Sequence, residues 1–302
     1  MRPILVTGGS GQLATALAVQ GGDQVRVAGR PGFDFDRPET IAAAFRAASP
    51  RLVVNAAAYT AVDAAETDEA AAFRANRDGP AELARLCAGA GIPLIHISTD
   101  YVYDGEKPSP YVETDPVAPR SVYGASKLAG ETAVLASGAR AIILRTAWVY
   151  AATGKNFVRT MLTLARTRDE LRVVADQHGC PTAAAALAEA ILRVAARLDA
   201  DGWRDEFAGV FHAAGSGETT WHGLALAVFE EASRHGTKTP GSVTPIATAD
   251  YPTPARRPAN SRLDCSRLDA VFGIRLPEWR TSLVQTIDEI FAPPDTRCLN
   301  TA

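Results

Sequence analysis

Tyr123 and Lys127 lie four positions apart in the run Tyr123-Gly-Ala-Ser-Lys127. On a helix, residues at that spacing share a face, so the phenol and the ammonium would open into the same space. A fixed positive charge beside a phenol favours the phenolate and lowers its pKa. Such a tyrosine can exchange a proton with a carbonyl or an alcohol near neutral pH. Alone, the pair also fits an ordinary amphipathic helix. Two upstream segments give it a context: Thr7-Gly-Gly-Ser-Gly-Gln-Leu-Ala14 and Ser98-Thr-Asp-Tyr-Val-Tyr103.

The first of these carries Gly8-x-x-Gly11-x-x-Ala14. A β-rich run, Ile4-Leu-Val-Thr7, precedes it and a helical pattern over 13–20 follows. Strand, glycine turn and helix in that order set backbone amides and a helix N-terminus against a pyrophosphate. The third position needs only a small residue, so Ala14 serves. A turn used only for chain reversal would need neither flank. At the end of the next strand, 25–28, an NAD-selective site usually places an acid on the ribose 2′-hydroxyl. This chain has Gly29-Arg30 there. An arginine at that point can accept a 2′-phosphate, which predicts good use of NADPH with NADH also accepted; the other reading of Arg30 is a solvated surface residue.

The elements that must position these groups alternate. Strands are expected at 4–7, 25–28, 52–55, 93–98 and 141–145, with helices at 13–20, 39–48, 70–75, 80–90 and 123–135 between them. Asp36-Arg-Pro38 reads as an N-cap with proline at the start of a helix. This βαβα rhythm implies an α/β fold, a Rossmann-like doubly wound parallel sheet with helices on both faces. After Trp148 the rhythm loosens. Helices are expected at 157–166, 183–197, 220–235 and 279–291, a strand at 210–213, a Pro- and Thr-rich loop over 240–258 and a frayed tail over 295–302. The reading is a dinucleotide-binding domain over 1–150 and, mainly over 151–302, a smaller C-terminal substrate-binding lobe that returns segments to the sheet.

Composition narrows the function class. A net charge of −3 offers no basic footprint for nucleic acid or an anionic membrane. The Met-Arg-Pro start runs straight into a strand without a signal-peptide apolar region, and no apolar run approaches the roughly 20 residues of a membrane span; a cytoplasmic protein is expected. Cys87, Cys180, Cys265 and Cys298 are far apart and read as free thiols. The five histidines are equally scattered, so no metal site is expected.

With the glycine turn, the Ser98–Tyr103 segment and the Tyr/Lys pair in that order, the chain resembles an extended short-chain dehydrogenase/reductase, and within that superfamily the dTDP-4-dehydrorhamnose reductase family. The likeness runs from Ile4 to about Leu268. It includes Asn55-Ala-Ala-Ala-Tyr-Thr-Ala-Val-Asp63, Arg145-Thr-Ala-Trp-Val-Tyr150, Asp176-Gln-His-Gly-Cys-Pro-Thr182, Thr220-Trp-His222 and Pro252-Thr-Pro-Ala-Arg-Arg-Pro258. The Tyr/Lys pair and the turn are superfamily features; the Trp148 and 252–263 segments are narrower.

The resemblance implies roles. Tyr123 would protonate the 4-keto oxygen of a dTDP-linked 4-keto-6-deoxysugar as the nicotinamide delivers hydride. Lys127 would bind the nicotinamide ribose and tune Tyr123, and Thr99 would bond the same oxygen, with Asp100 near the sugar. Gly11, Gln12 and Leu13 would meet the pyrophosphate, Asp34 and Phe35 the adenine, and Ala58, Tyr59 and Thr60 the cofactor's path. Trp148 would contact the deoxysugar, and Arg256, Arg257 or Arg262 the substrate diphosphate. Trp148 as a core aromatic, Thr99 as a turn hydroxyl and the arginines as a solvated loop stay open on the residues alone. Some members dimerise around a magnesium ion held by glutamates; the matching positions here are Ala16 and Ala185, and alanine offers a hard cation no oxygen. A monomer or weak homodimer is expected.

The product implied is dTDP-L-rhamnose, for cell-surface polysaccharide. Alternatives are a reductase giving another 4-epimer and a non-catalytic subunit like the regulatory subunit of methionine adenosyltransferase. A dehydratase would carry Asp and Glu after the threonine of the Ser-Thr segment; here Thr99 is followed by Asp100 and Tyr101.

Overall fold

Six short apolar runs build the centre of the protein. They are β1 (Ile4–Thr7), β2 (Val25–Ala28), β3 (Leu52–Asn55), β4 (Leu94–Thr99), β5 (Ala141–Thr146) and β6 (Gly209–His212). The computed structural model describes residues 2–292; the tail expected at 295–302, with Cys298, lies outside them. The strands form one sheet in the order β6-β5-β4-β3-β1-β2, and every pairing is parallel. β1, β3 and β5 are buried at every residue, the mark of strands covered on both faces. Strand order reverses at β1, which has β2 on one side and β3 on the other. The crevice outside the carboxyl ends at that point is where open α/β sheets take ligands.

Alternation along β1 divides the core. Ile4 and Val6 pack with Leu17 of α1 (Gln12–Gly21) and with Leu187 and Ile191 of α2 (Ala184–Asp201). Leu5 faces the other way, toward Leu83 and Cys87 of the helix Gly79–Ala90. α2 lies late in the chain yet covers the first strands, and β6 extends the sheet beside β5. A separate core joins Val158, Leu162, Leu224, Val228, Leu283 and Ile287 from the helices Phe157–Ala165, Trp221–Arg234 and Trp279–Phe291.

Two expectations need correction. The stretch 240–258 is not all loop: Ser242–Ile246 is a strand paired in parallel with Glu170–Val174, itself unanticipated. The pair is two-stranded and half exposed, so Pro245 sits on an edge, where a missing N–H is tolerated. The helices expected at 70–75 and 80–90 are continuous, joined through a π-turn at Arg74–Asp78. Among the described residues no helix is long and apolar enough to cross a membrane.

Candidate active site

β4 ends at Thr99 and turns at once through the short helix Asp100–Val102. The helix carrying Tyr123 and Lys127, Val122–Ala136, is capped by Ser121, whose hydroxyl accepts from the Gly124 N–H at 3.1 Å. It is pressed against its neighbours at two glycines. A Cβ at Gly124 would sit 2.2 Å from the Tyr101 carbonyl oxygen, and one at Gly130 would sit 2.0 Å from that of Asn76. Asn76 lies in the π-turn, a local widening frequent at functional sites. Its side chain accepts from the Tyr59 N–H at 2.8 Å and donates to the Tyr59 carbonyl and the Ser126 hydroxyl. One buried amide thus ties the 58–60 loop to the helix of Tyr123 and Lys127.

Tyr123 packs edge-on against Tyr101 with ring centres 5.4 Å apart. Lys127 is buried and donates to the Ile97 carbonyl at 2.7 Å. Burial dominates the electrostatics. It raises the Tyr123 phenol well above its ordinary range, and the Thr99 hydroxyl beside it offsets only part of that. The expectation of a lysine-lowered phenol is therefore corrected for the protein alone: burial sets the direction, and Thr99, not Lys127, is the neighbour that draws the phenol down. Lys127 itself is pushed down to about 8 by burial, with Glu131 holding it up in part. Asp100, buried with Oδ2 unpartnered, is pushed up to about 6 by burial, against the hydroxyls of Ser261 and Thr99.

Beneath these groups runs a buried polar chain. Ser98 donates to Glu131 at 2.5 Å, and Glu131 takes both arms of the Arg145 guanidinium at 2.9 and 2.6 Å. Arg145 also donates to the Tyr103 hydroxyl at 2.7 Å, which lies 2.7 Å from His212 Nε2. The chain locks β4, β5 and β6 to the helix one turn past Lys127.

The glycine turn opens on the same space. Gly8 has φ +112°, and a Cβ there would press on the Ala56 backbone at 3.1 Å; one on Gly29 would lie 2.5 Å from Gly9 Cα. Gly8, Gly11, Gln12 and Leu13, Arg30, Asp34 and Phe35, Ala58, Tyr59 and Thr60, and Thr99, Asp100, Tyr123, Lys127, Trp148 and Arg257 all line one cavity of about 1010 Å³. Its open amides at a helix N-terminus and its length along the strand ends fit a dinucleotide and a sugar together.

Arg30 is not free. It pairs with Asp34 at 2.9 Å and Asp36 at 2.7 Å, and Arg74 shares Asp36. Arg256 is held by Glu106, and Arg262 by Glu218 and the Pro108 carbonyl. Of these three arginines only Arg257 lines the large cavity, bonded to Asp63 at 2.6 Å and to the Tyr101 hydroxyl. Arg256 and Arg257 also line a neighbouring cavity of about 380 Å³ with Tyr251 and Thr248. Trp221, Lys155 and Leu187 line the large cavity without having been singled out. Trp221 stood in the Thr220-Trp-His222 segment, but nothing in one sequence shows that it stacks on Trp148. Ala16 and Ala185 sit on the adjacent helices α1 and α2, where Gln20 donates to the Ala185 carbonyl at 2.9 Å. No cluster of His, Cys, Asp or Glu able to hold a metal ion occurs among the described residues.

A sequence model described as the RmlD substrate binding domain matches residues 1–291. A dTDP-4-dehydrorhamnose reductase of Sinorhizobium fredii is 49% identical over 92% of this chain and 94% of its own. A Streptomyces antibioticus protein named "probable dTDP-4,6-dihydroxy-2-methyloxan-3-one 4-ketoreductase" is 40% identical over 97% of this chain and 98% of its own. The crystal structure of Bacillus anthracis dTDP-4-dehydrorhamnose reductase in complex with NADP superposes with a TM-score of 0.87 at 30% identity, covering 95% of this chain and 99% of that one. With a family match over nearly its whole length and relatives of this identity, the chain belongs to the dTDP-4-dehydrorhamnose reductase family.

Proposed function

We propose that the protein reduces the 4-keto group of dTDP-4-dehydro-L-rhamnose with NADPH, NADH also serving, to give dTDP-L-rhamnose in the cytoplasm. The observation that carries this reading is the single cavity that joins the glycine turn to Thr99, Tyr123 and Lys127. When bound, the nicotinamide supplies hydride to the sugar C4. Tyr123 gives its proton to the ketone oxygen. Its burial-raised pKa keeps it a full proton donor at neutral pH, and the Lys127 ammonium and Thr99 hydroxyl stabilise the phenolate left behind. Asp100 and Trp148 face the sugar, and Arg257 the substrate diphosphate. Gly8, Gly11, Gln12 and Leu13 hold the cofactor pyrophosphate, Arg30, Asp34 and Phe35 its adenosine end, and Ala58, Tyr59 and Thr60 its length. Neither nucleic acid nor membrane is a partner.

NADPH oxidation at 340 nm on adding dTDP-4-dehydro-L-rhamnose, with NMR of the product sugar, tests the reading. Tyr123→Phe should lower turnover about 100- to 10,000-fold with cofactor still bound; turnover within threefold of wild type would remove Tyr123 from its role. The Streptomyces antibioticus relative favours a second reading, a reductase of a related dTDP-ketosugar giving another 4-epimer, and the NMR spectrum separates the two. A purely regulatory subunit would bind NADPH and leave it unoxidised.

A further inference from the structure

Trp148 has φ +49°, in the left-handed region that bulky side chains rarely adopt. Its ring is stacked on Trp221, centres 3.6 Å apart and planes 11° from parallel. On Gly179 a Cβ would lie 2.4 Å from Cε2 and 2.8 Å from Cδ2 of Trp148. Those two atoms share the ring-fusion bond, so Gly179 sits over a ring face and not beside an edge. Trp221 is itself fixed: its indole N–H donates to Gln177 at 3.1 Å, and Phe157 packs on it. Both faces of Trp148 are therefore covered by protein. The Trp148 indole N–H has no partner among the described residues, and the half-buried Trp148 lines the large cavity.

We infer that Trp148 reads the sugar by its edge, donating the indole N–H to a sugar oxygen, and that Gly179 and Trp221 are the positioning residues that hold it edge-on. This rests on the cavity being the nucleotide-sugar site. A ring lined on both faces cannot stack on a sugar, and the left-handed backbone at Trp148 is retained because it turns the donor edge outward, a strained residue at a functional site. Gly179 is then required for the indole's place and not for chain freedom.

The test replaces Trp148 with β-(3-benzothienyl)alanine, which has the same shape and aromatic faces but no N–H. The kcat/KM for dTDP-4-dehydro-L-rhamnose should fall about three- to tenfold, the worth of one neutral hydrogen bond, while the NADPH Kd stays unchanged. Gly179→Ala should raise the sugar KM at least about fivefold, the low end of forcing a methyl into a filled site. In a Trp148→Leu background the same change should do nothing further, because its effect passes through Trp148. Wild-type kinetics with the isostere, while Trp148→Leu is impaired, would overturn the donor role and leave the sugar site standing. Wild-type kinetics with both would overturn the placement of the sugar at Trp148 as well. An equal Gly179→Ala effect in both backgrounds would remove Gly179 as a positioning residue.

Discussion

At the scale of single residues, the site is three buried titratable groups moved by the same cause in different directions. Desolvation favours the neutral form of each: Asp100 rises to about 6, Lys127 falls to about 8, and the Tyr123 phenol rises beyond its ordinary value. Asp100, which lines the cavity, is then ionised above about 6. Lys127 is cationic below about 8, and Tyr123 keeps its proton throughout. The kcat/KM for the ketosugar should rise with pH through about 6, hold a plateau, and fall through about 8. Asp100→Asn should abolish the acid limb alone; an acid limb that survives it would assign that titration elsewhere. Arg30 gives a prediction of opposite character, since it is exposed and already paired with two carboxylates. A 2′-phosphate must draw it from Asp34 and Asp36, so the contact is worth about 1 kcal/mol, the upper range for surface pairs. Arg30→Ala should raise the NADPH KM about fivefold and leave NADH alone; equal changes for both cofactors would make it a surface residue only.

At the scale of elements, the site depends on how closely backbones approach. Gly130 lets the helix of Tyr123 and Lys127 lie on the Asn76 carbonyl, with no room for a methyl group. Gly130→Ala should cost about 1–3 kcal/mol in urea unfolding, as overpacking does, and slow turnover by moving Tyr123. Stability within 0.5 kcal/mol of wild type, roughly the scatter of harmless surface changes, would mean the helix can retreat freely. None of this closeness is legible in the sequence, where Gly130 reads as one small residue in a helix. The strands and helices of the first half were legible because β1, β3 and β5 are buried on both faces and so appear as unbroken apolar runs. The parallel pair Glu170–Val174 with Ser242–Ile246 was not, because the first strand buries only Leu171 and Val173 in a short alternation and in the second Pro245 reads as a breaker.

At the scale of the whole molecule, the chain's order along the sequence and its order in space differ in a way that makes the cavity. α2 and β6 come from the later half and complete the first sheet, while Trp148, Lys155, Leu187 and Trp221 bring later segments to the mouth of the glycine turn. Motifs in sequence could point to the turn and the Tyr/Lys pair, since each is local; they could not show that residues 73 positions apart, Trp148 and Trp221, form one wall. The same geometry bears on metal dependence. Ala16 and Ala185, the positions that the resemblance matches to the metal-holding glutamates of some members, lie on the packed helices α1 and α2, and the Gln20 amide already bonds the Ala185 carbonyl. An alanine methyl supplies no oxygen to a hard cation. In the proposed mechanism a phenol, a threonine hydroxyl and a buried ammonium would meet the negative charge developing on the ketone oxygen, the task a Lewis acid would otherwise perform. EDTA treatment should therefore leave both turnover and solution mass unchanged. Activity lost on chelation and restored by magnesium, or a dimer that dissociates in EDTA, would show that oxygens other than those at positions 16 and 185 hold an ion.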